Sequence, residues 1–335
     1  MSRMDSLPGS DLRDLPPNGE QFARPDADAL LGGALGAWLS GQDALRASVR
    51  AKAQSRLYLG FGAAMLAAFF IVFKTGAIPL ALQLGIAIGA GGYAWSEWSK
   101  RPLTRQIKAE INGAIARALG LTYAITVSDE SNFAIALQFE MLPKHDKAAL
   151  EDGWWGELGG QPFHLHEAKL TETRGSGKSR RTVTVFQGLI MGIGFARNFS
   201  GTTLIERNGK HDGLLGFLGR EKDAITVGGR RLTRTSAVDP VFEKRFDLWT
   251  DDPVEAHRLV NPEYVERLVS LETAFGAGKL RALFQSGQLL VVFETSDQFE
   301  SGTIDTGQDR RMVQQAISQF DAVAELALRL NARGR

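Results

Sequence analysis

Two apolar runs dominate the pattern of the chain, one at residues 57–73 and the other at residues 78–95. The short segment between them contains one charge, Lys74. A helix needs about 17–25 mostly apolar residues to cross a bilayer, and both runs have this length. A hydrophobic hairpin inside a soluble domain is the alternative, but such helices usually carry a polar face, and only Gln83 interrupts the second run. The pattern therefore predicts a transmembrane helical hairpin, with the lipid bilayer as its first partner.

The charges around this hairpin predict its orientation. Residues 45–117 contain ten basic and two acidic side chains, whereas residues 1–44 contain three basic and seven acidic ones. Because positively charged flanks stay on the cytoplasmic side, both termini are expected in the cytoplasm. Neither apolar run contains an aspartate, glutamate, lysine, arginine or histidine, which argues against an ion path through the hairpin and favours an anchor.

Small residues recur every four positions in both runs and form a stripe on each helix. Such stripes allow close approach of two backbones, and we expect them to face each other within the hairpin. The residues are Gly60, Ala64 and Ala68 in the first run and Ala81, Gly85 and Gly89 in the second.

The segments around the hairpin are polar and less regular. Residues 1–28 are rich in proline and aspartate, which predicts a disordered tail, and residues 29–56 form a helical lead-in. Residues 96–118 read as a basic juxtamembrane helix that resumes after Pro102. Its charges suit anionic lipid headgroups, although the orientation of the hairpin explains them equally well.

Residues 119–335 are predicted to form a cytoplasmic α+β domain, with a curled antiparallel sheet and packing helices. The clearest strand is RTVTVFQGLIMGIGFA, with apolar residues at alternate positions and Gly188, Gly192 and Gly194 on its other face. Glycines on one strand face indicate a bend, a bulge or close approach of another backbone, so we expect a curled sheet or a break into two strands. FHLHEAKLTET is its predicted hairpin partner.

Local signals predict further elements after this strand pair. KLRALFQSGQLLVVFET reads as a hairpin that turns at Ser286 and Gly287. Asp252, Pro253 and Glu255 form the pattern of a helix start with a capping box, and Asn261 begins a second start. That second helix places Val265, Leu268 and Val269 on its core face. Residues 309–330 repeat apolar positions at helical spacing, which predicts a final helix that packs on the sheet.

Candidate motifs do not identify a reaction. The segment GSGKS lacks the glycine of a phosphate-binding loop at Glu172, and a strand rather than a helix follows it, so it is interpreted as a hairpin turn. His164 and His166 share a strand face, but a metal site needs further ligands. The chain has no cysteine. No catalytic residue, cofactor or metal is assigned.

The order of several segments resembles the bacterial family of unknown function DUF3137. These segments are EDGWWGELGGQPFHLHEAKL, TVFQGLIMGIGFARNFSGTTLI, FEKRFDLWTDDPVEAHRLVNPEYVERLVSL and LLVVFETSDQFE. The resemblance includes Glu167, the turn at Asp251–Asp252–Pro253 and the pair Phe299–Glu300. It implies a bacterial inner-membrane protein without an established activity, and it suggests a LemA-like membrane protein as a partner.

Two classes of function remain open on the sequence. The first is a membrane-anchored cytoplasmic binding or scaffold module, and the second is a membrane-bound enzyme with His164, His166 and Glu167 as its candidate groups. An accessory subunit of a transport or lipid-sensing complex is a further alternative. Nucleic-acid binding is not expected, because residues 118–335 contain 26 basic and 29 acidic side chains without a basic stripe.

Partner binding is expected at a surface formed by two neighbouring features. Trp154 and Trp155 lie in a segment flanked by glycines, and tryptophan is enriched among binding hot spots. The glycine-lined strand face is expected to be open to a second chain or ligand. The same tryptophans are equally consistent with a cap on the core. The candidate residues are Trp154, Trp155, Glu167, Gly188, Gly192 and Gly194.

Overall fold

The computed structural model describes residues 24–195, 199–208, 210, 222–236, 240–262, 264, 280–296 and 298–331. They form two compact units. The helical unit consists of Pro25–Ile115 and Glu300–Ile317. The sheet unit contains Arg24 with the described parts of Ala116–Phe299 and Ser318–Arg335. Most of the predicted tail, residues 1–23, lies outside the described residues.

The helical unit is built around two long helices. Helices α1 (Ala27–Gly32) and α2 (Ala34–Gly41) precede α3 (Asp43–Thr75) and α4 (Ile78–Ala118). Helix α3 ends at Gly76, whose φ of 66° is the left-handed conformation that glycine adopts readily. The helix α4 is continuous through Pro102, where the sequence predicted a new start.

Both predicted apolar runs lie within these helices and remain largely unburied. Helices α3 and α4 are long and apolar enough to cross a membrane, and only 6% and 11% of their most apolar segments is buried. A soluble hairpin would bury these side chains against other parts of the chain. The two helices therefore have the properties of candidate membrane spans.

Glycine contacts join the two helices of the hairpin, as predicted. A Cβ added to Gly60 would lie 2.6 Å from the Gly92 Cα, and one added to Gly85 would lie 3.7 Å from the Ala68 Cβ. Gly89, which was predicted for this contact, has open space beside it. The stripes thus face each other, with Gly92 in place of Gly89.

Polar contacts hold the segment 300–317 to helices α3 and α4 of the same unit. Arg46, which is 1% exposed, donates two hydrogen bonds from Nη1 to the Asp309 carboxylate at 2.9 and 2.7 Å. Ser301 Oγ lies 2.9 Å from Asn112 Oδ1, and both side chains are buried. At least one of the basic residues that flank the hairpin, Arg46, is therefore buried and paired with a carboxylate of the same unit.

The sheet unit has the predicted α+β architecture. The described residues form one ten-stranded antiparallel sheet in the order β1-β2-β3-β4-β10-β9-β5-β8-β7-β6, without closing into a barrel. The strands are β1 (Thr122–Thr126), β2 (Lys147–Leu158), β3 (Gln161–Arg174), β4 (Arg181–Gly194), β5 (Thr203–Arg207), β6 (Ala224–Val227), β7 (Arg230–Thr235), β8 (Phe246–Thr250), β9 (Arg281–Gln285) and β10 (Gln288–Glu294). The helices are α5 (Ser131–Gln138), α6 (Pro240–Glu243), α7 (Pro253–Leu259) and α8 (Asp309–Asn331), whose first nine residues belong to the helical unit.

The hairpins predicted from local pattern are present. Strands β3 and β4 pair from Phe163 with Ile193 to Arg174 with Arg181, and GSGKS forms the turn between them. Strands β9 and β10 turn at Ser286 and Gly287. The strand β4 is unbroken over its whole length, so the alternative of two shorter strands is wrong.

One predicted helix start differs in detail. Asp252 caps α7 and accepts a hydrogen bond from the Glu255 N–H at 3.0 Å. The Glu255 carboxylate does not complete the capping box, because it accepts from the Gly201 N–H at 2.6 Å, whereas Thr250 Oγ1 accepts from the Asp252 N–H. Asn261 accepts from the Tyr264 N–H at 2.9 Å. The core-face residues Val265, Leu268 and Val269 lie outside the described residues.

Candidate functional site

Strands β2 and β3 present different residues on their two faces. Successive side chains of a strand point to opposite sides of a sheet, so Trp154 and Trp155 face opposite ways. A bulge between Glu151 and Trp154 shifts the register of β2 just before the two tryptophans. Beyond it Trp154 pairs with Leu165, and Trp155 pairs with His164.

Trp154 lies in the core on the face that helix α8 covers. Its side chain is 0% exposed, and its ring centroid lies 4.9 Å from Tyr123, 5.1 Å from Phe299 and 4.6 Å from Phe320. A partner has no access to this ring in the folded unit. The interpretation of Trp154 as a cap on the core, which the sequence left open, is the one that its position supports.

The glycine face of β4 is not an open surface, contrary to the expectation. A Cβ added to Gly188 would lie 2.1 Å from the Phe293 carbonyl oxygen, which is the close backbone approach that the sequence suggested. A Cβ at Gly192 would lie 2.4 Å from the Asn132 amide nitrogen, and one at Gly194 would lie 2.8 Å from a Pro162 ring carbon. The chain itself fills the space beside all three glycines.

Glu167 is separated from the two histidines by the sheet. It follows His166 in β3 and therefore points to the opposite face. Its side chain is 9% exposed, and Oε1 accepts a hydrogen bond from the Gln298 N–H at 3.0 Å. His164, His166 and Glu167 thus do not converge on one point.

A cleft lies on the face of the sheet opposite Glu167, and Trp155 and His164 line it. It has a volume of about 260 Å³ and is lined by Val127, Ser128, Asp129, Gly153, Trp155 and His164. The Trp155 and His164 rings stack with their centroids 6.5 Å apart and an angle of 27° between them. Residues 127–129, which lie between β1 and α5, complete the lining together with Gly153 of β2.

The two histidines of this face are held in their neutral form. Burial lowers the pKa of His164, and the nearby Asp129 charge opposes this effect. Burial and, to a smaller extent, the neighbouring His164 lower the pKa of His166 to about 4, although the Asp129 charge opposes them. Their rings are in edge-to-face contact at 5.7 Å. Both are therefore uncharged at neutral pH.

Three imidazole nitrogens in this pair have no hydrogen-bond partner among the described residues. They are His164 Nδ1 and both ring nitrogens of His166, whose side chain is 0% exposed. An unpaired buried polar group costs about 1–3 kcal/mol, and such groups often indicate a functional site. A water or a ligand group near the cleft would offset part of this cost.

Asp129 supplies the charge of the cleft. The residue is exposed, and its Oδ1 accepts a hydrogen bond from the Ser131 N–H at 2.9 Å. Hydrogen bonds from the Ser131 backbone and side chain hold the pKa of the Asp129 carboxyl below its usual value, and the slight desolvation of the carboxyl opposes them. The carboxylate is therefore ionised at neutral pH.

Among the described residues, the cleft lining offers one carboxylate and one imidazole as candidate metal ligands. Within the described ranges, no group of three or more histidine, aspartate or glutamate side chains has the spacing of a metal site. Sequence reasoning identified Trp155 and His164 but missed Val127, Ser128 and Asp129. The segment VSDES carries a local turn pattern, and nothing in it indicates that it lines the same cleft as His164, thirty-five positions after Asp129.

Two further residues of the family resemblance, Asp251 and Phe299, make contacts that stabilise the fold. Asp251 accepts hydrogen bonds from the Thr202 N–H at 2.6 Å and from Arg230 at 2.9 Å. Phe299 is 0% exposed, and its N–H donates to Gln319 Oε1 at 3.0 Å. These groups fix loops of the fold and do not line the cleft.

Comparison with known proteins confirms the predicted family resemblance. Residues 184–332 match the family described as "Protein of unknown function (DUF3137)". No curated protein matches the chain. The crystal structure of the mycobacterial trehalose monomycolate transport factor A, TtfA, is similar over 69% of this chain and 99% of its own, with 11% identity and a TM-score of 0.31.

Proposed function

We propose that this protein is a membrane-anchored binding module. In this proposal, the hairpin of α3 and α4 crosses the bacterial inner membrane twice, and both termini lie in the cytoplasm. The sheet unit binds a ligand or a partner through the cleft beside Trp155 and His164. The observation that carries the proposal is an accessible cleft whose lining combines an aromatic wall, one carboxylate and the half-buried His164 imidazole, with the buried His166 in ring contact with it.

The composition of the hairpin supports the anchor. Large apolar side chains such as Phe69 and Phe73 are 70% and 74% exposed, which is costly in water and favourable in lipid. Tyr58 and Trp98 lie at the ends of the apolar runs, where aromatic belts occur. The basic flanks support cytoplasmic termini by the same rule.

The separation of the candidate catalytic groups favours binding over catalysis. An enzyme requires its nucleophile, base and orienting group to converge on the reacting atoms. His164 and His166 lie on one face of the sheet, whereas Glu167 lies on the other and binds the Gln298 N–H. The neutral imidazoles and Trp155 instead provide the mixture of apolar and polar groups that is typical of ligand sites.

A photo-crosslinking experiment tests this proposal in intact cells. A photoreactive amino acid at Ser128, in the cleft lining, is compared with the same residue at Ser176, which is exposed in the turn between β3 and β4. We expect an adduct at Ser128, none at Ser176, and loss of the adduct when Trp155→Ala is added. Equal adducts at both positions, or one that persists in Trp155→Ala, would contradict binding at the cleft.

The family resemblance nominates the first partner to examine. A LemA-like membrane protein is a candidate because it would lie in the same membrane as the proposed anchor. Its presence in the Ser128 adduct and its absence from the Ser176 control would support this partner.

A further inference from the structure

We propose that the cleft binds an organic cation, either an ammonium or a guanidinium group. This inference rests on the proposed function, because it assigns a ligand class to the same cleft. The group can belong to a small free amine or guanidine, or to a lysine or arginine side chain of a partner. Three features of the lining support it.

The first feature is the charge of the lining. Among the residues that the structure describes, Asp129 is the one charged side chain of the lining, and no described lysine or arginine belongs to it. The two histidines on this face do not neutralise the carboxylate, because burial keeps both in the uncharged form at neutral pH. A cation is attracted to this lining, whereas a phosphate or a carboxylate is repelled.

The second feature is the aromatic wall. Trp155 is half-buried, and its ring lines the cleft while it stacks on His164. The face of an indole ring attracts ammonium and guanidinium groups within about 6 Å of its centroid, more strongly than other aromatic rings do. The volume of about 260 Å³ accepts such a group and lies below the size of typical cofactor sites.

The third feature is the chemistry of the imidazoles. A neutral imidazole has one nitrogen that donates and one that accepts a hydrogen bond. His164 lines the cleft, and His166 lies behind it with both nitrogens unpartnered among the described residues. A ligand rich in N–H donors complements the acceptor nitrogen of His164 together with the Asp129 carboxylate.

The direct test measures the binding of matched probes to the full chain in nanodiscs of zwitterionic phosphatidylcholine, which present no anionic lipid. Ethylguanidinium is compared with ethylurea, which has nearly the same shape without the charge, and with acetate. Isothermal titration calorimetry is expected to detect ethylguanidinium binding that is at least about tenfold tighter than ethylurea binding. Comparable affinities for the two, preference for acetate, or no binding of any probe would overturn the inference.

Two variants locate the cation within the cleft. Asp129→Asn retains the shape of the side chain and removes its charge, and we expect it to weaken ethylguanidinium binding by about threefold to tenfold. The matched control is Glu130→Gln, which removes the same charge from the next residue, outside the lining. Equal effects of the two variants would indicate a general charge effect and would contradict a specific site.

A further probe distinguishes a small free cation from a basic side chain of a partner. The tripeptide acetyl-Gly-Arg-Gly-amide presents the same guanidinium on a peptide backbone. Tighter binding of the tripeptide than of ethylguanidinium indicates a basic side chain of a partner, whereas equal binding indicates a small free cation, and both results support the inference. If the Ser128 adduct forms in cells while every cationic probe fails, the proposed binding function stands and only the ligand class is wrong.

Discussion

Replacing the two adjacent tryptophans separately tests the assignment of one to the core and the other to the cleft. Trp154 is 0% exposed and contacts three aromatic rings, Tyr123, Phe299 and Phe320. Trp155 is half-buried and lines the cleft. Trp154→Ala and Trp155→Ala remove the same atoms from positions one residue apart, so each variant is the control for the other.

The magnitude at Trp154 follows from its burial. A buried tryptophan removes about 150–250 Å² from water, which corresponds to about 4–6 kcal/mol at about 25 cal/mol per Å². Measured replacements of buried tryptophan by alanine cost about 3–5 kcal/mol. We therefore expect Trp154→Ala to lower the free energy of unfolding by about 4 kcal/mol and Trp155→Ala to lower it by about 1 kcal/mol.

Thermal unfolding of the full chain in detergent, followed by near-ultraviolet circular dichroism, measures the difference. A unit of this size loses about 2–4 °C in Tm per kcal/mol, so Trp154→Ala should lower the transition of the sheet unit by about 8–16 °C. Trp155→Ala should lower it by only about 2–4 °C while removing the Ser128 adduct. Equal falls in Tm for the two variants, or a larger fall for Trp155→Ala, would refute this assignment.

Three further predictions concern the anchor and the buried histidine. A reporter that is active only in the periplasm should give a signal when fused at Gly76 and none at Arg335, and a signal at Arg335 would contradict the proposed orientation. Gly60→Ala should destabilise the helical hairpin by about 1–3 kcal/mol, because its Cβ would lie 2.6 Å from the backbone of α4. Thermal unfolding followed by far-ultraviolet circular dichroism compares it with Gly62→Ala, which should have little effect because its added Cβ would have no other part of the chain within 4 Å. The pKa of His166 is about 4 in the folded state against 6.5 ordinarily, so the unfolded chain binds this proton more tightly. The free energy of unfolding should therefore fall between about pH 6.5 and pH 4, by up to about 3 kcal/mol, and His166→Phe should remove this part of the fall in urea titrations across that range.

The elements that depend on neighbouring residues were predictable from the sequence. The turn at Ser286 and Gly287, the cap at Asp252 and the lengths of the two apolar helices are set by contacts within a few positions, so their patterns are visible along the chain. Hairpins between adjacent strands follow from the same kind of information, because a short turn fixes their register.

The candidate site depends on contacts that no local pattern specifies. A bulge in β2 precedes the tryptophans and sets the register in which Trp154 faces the core and Trp155 faces the cleft. From the sequence, the two positions could not be distinguished. The pairing of β4 with β10 places the Phe293 carbonyl beside Gly188, so a face that looked open is filled. Asp129 and His164 line the same cleft because β1, β2 and β3 are paired side by side in the sheet. The sequence alone determined which segments are apolar, which turn and which are capped, whereas the tertiary structure decided which side chains share a face and which remain accessible, because those depend on strand register and on packing between distant segments.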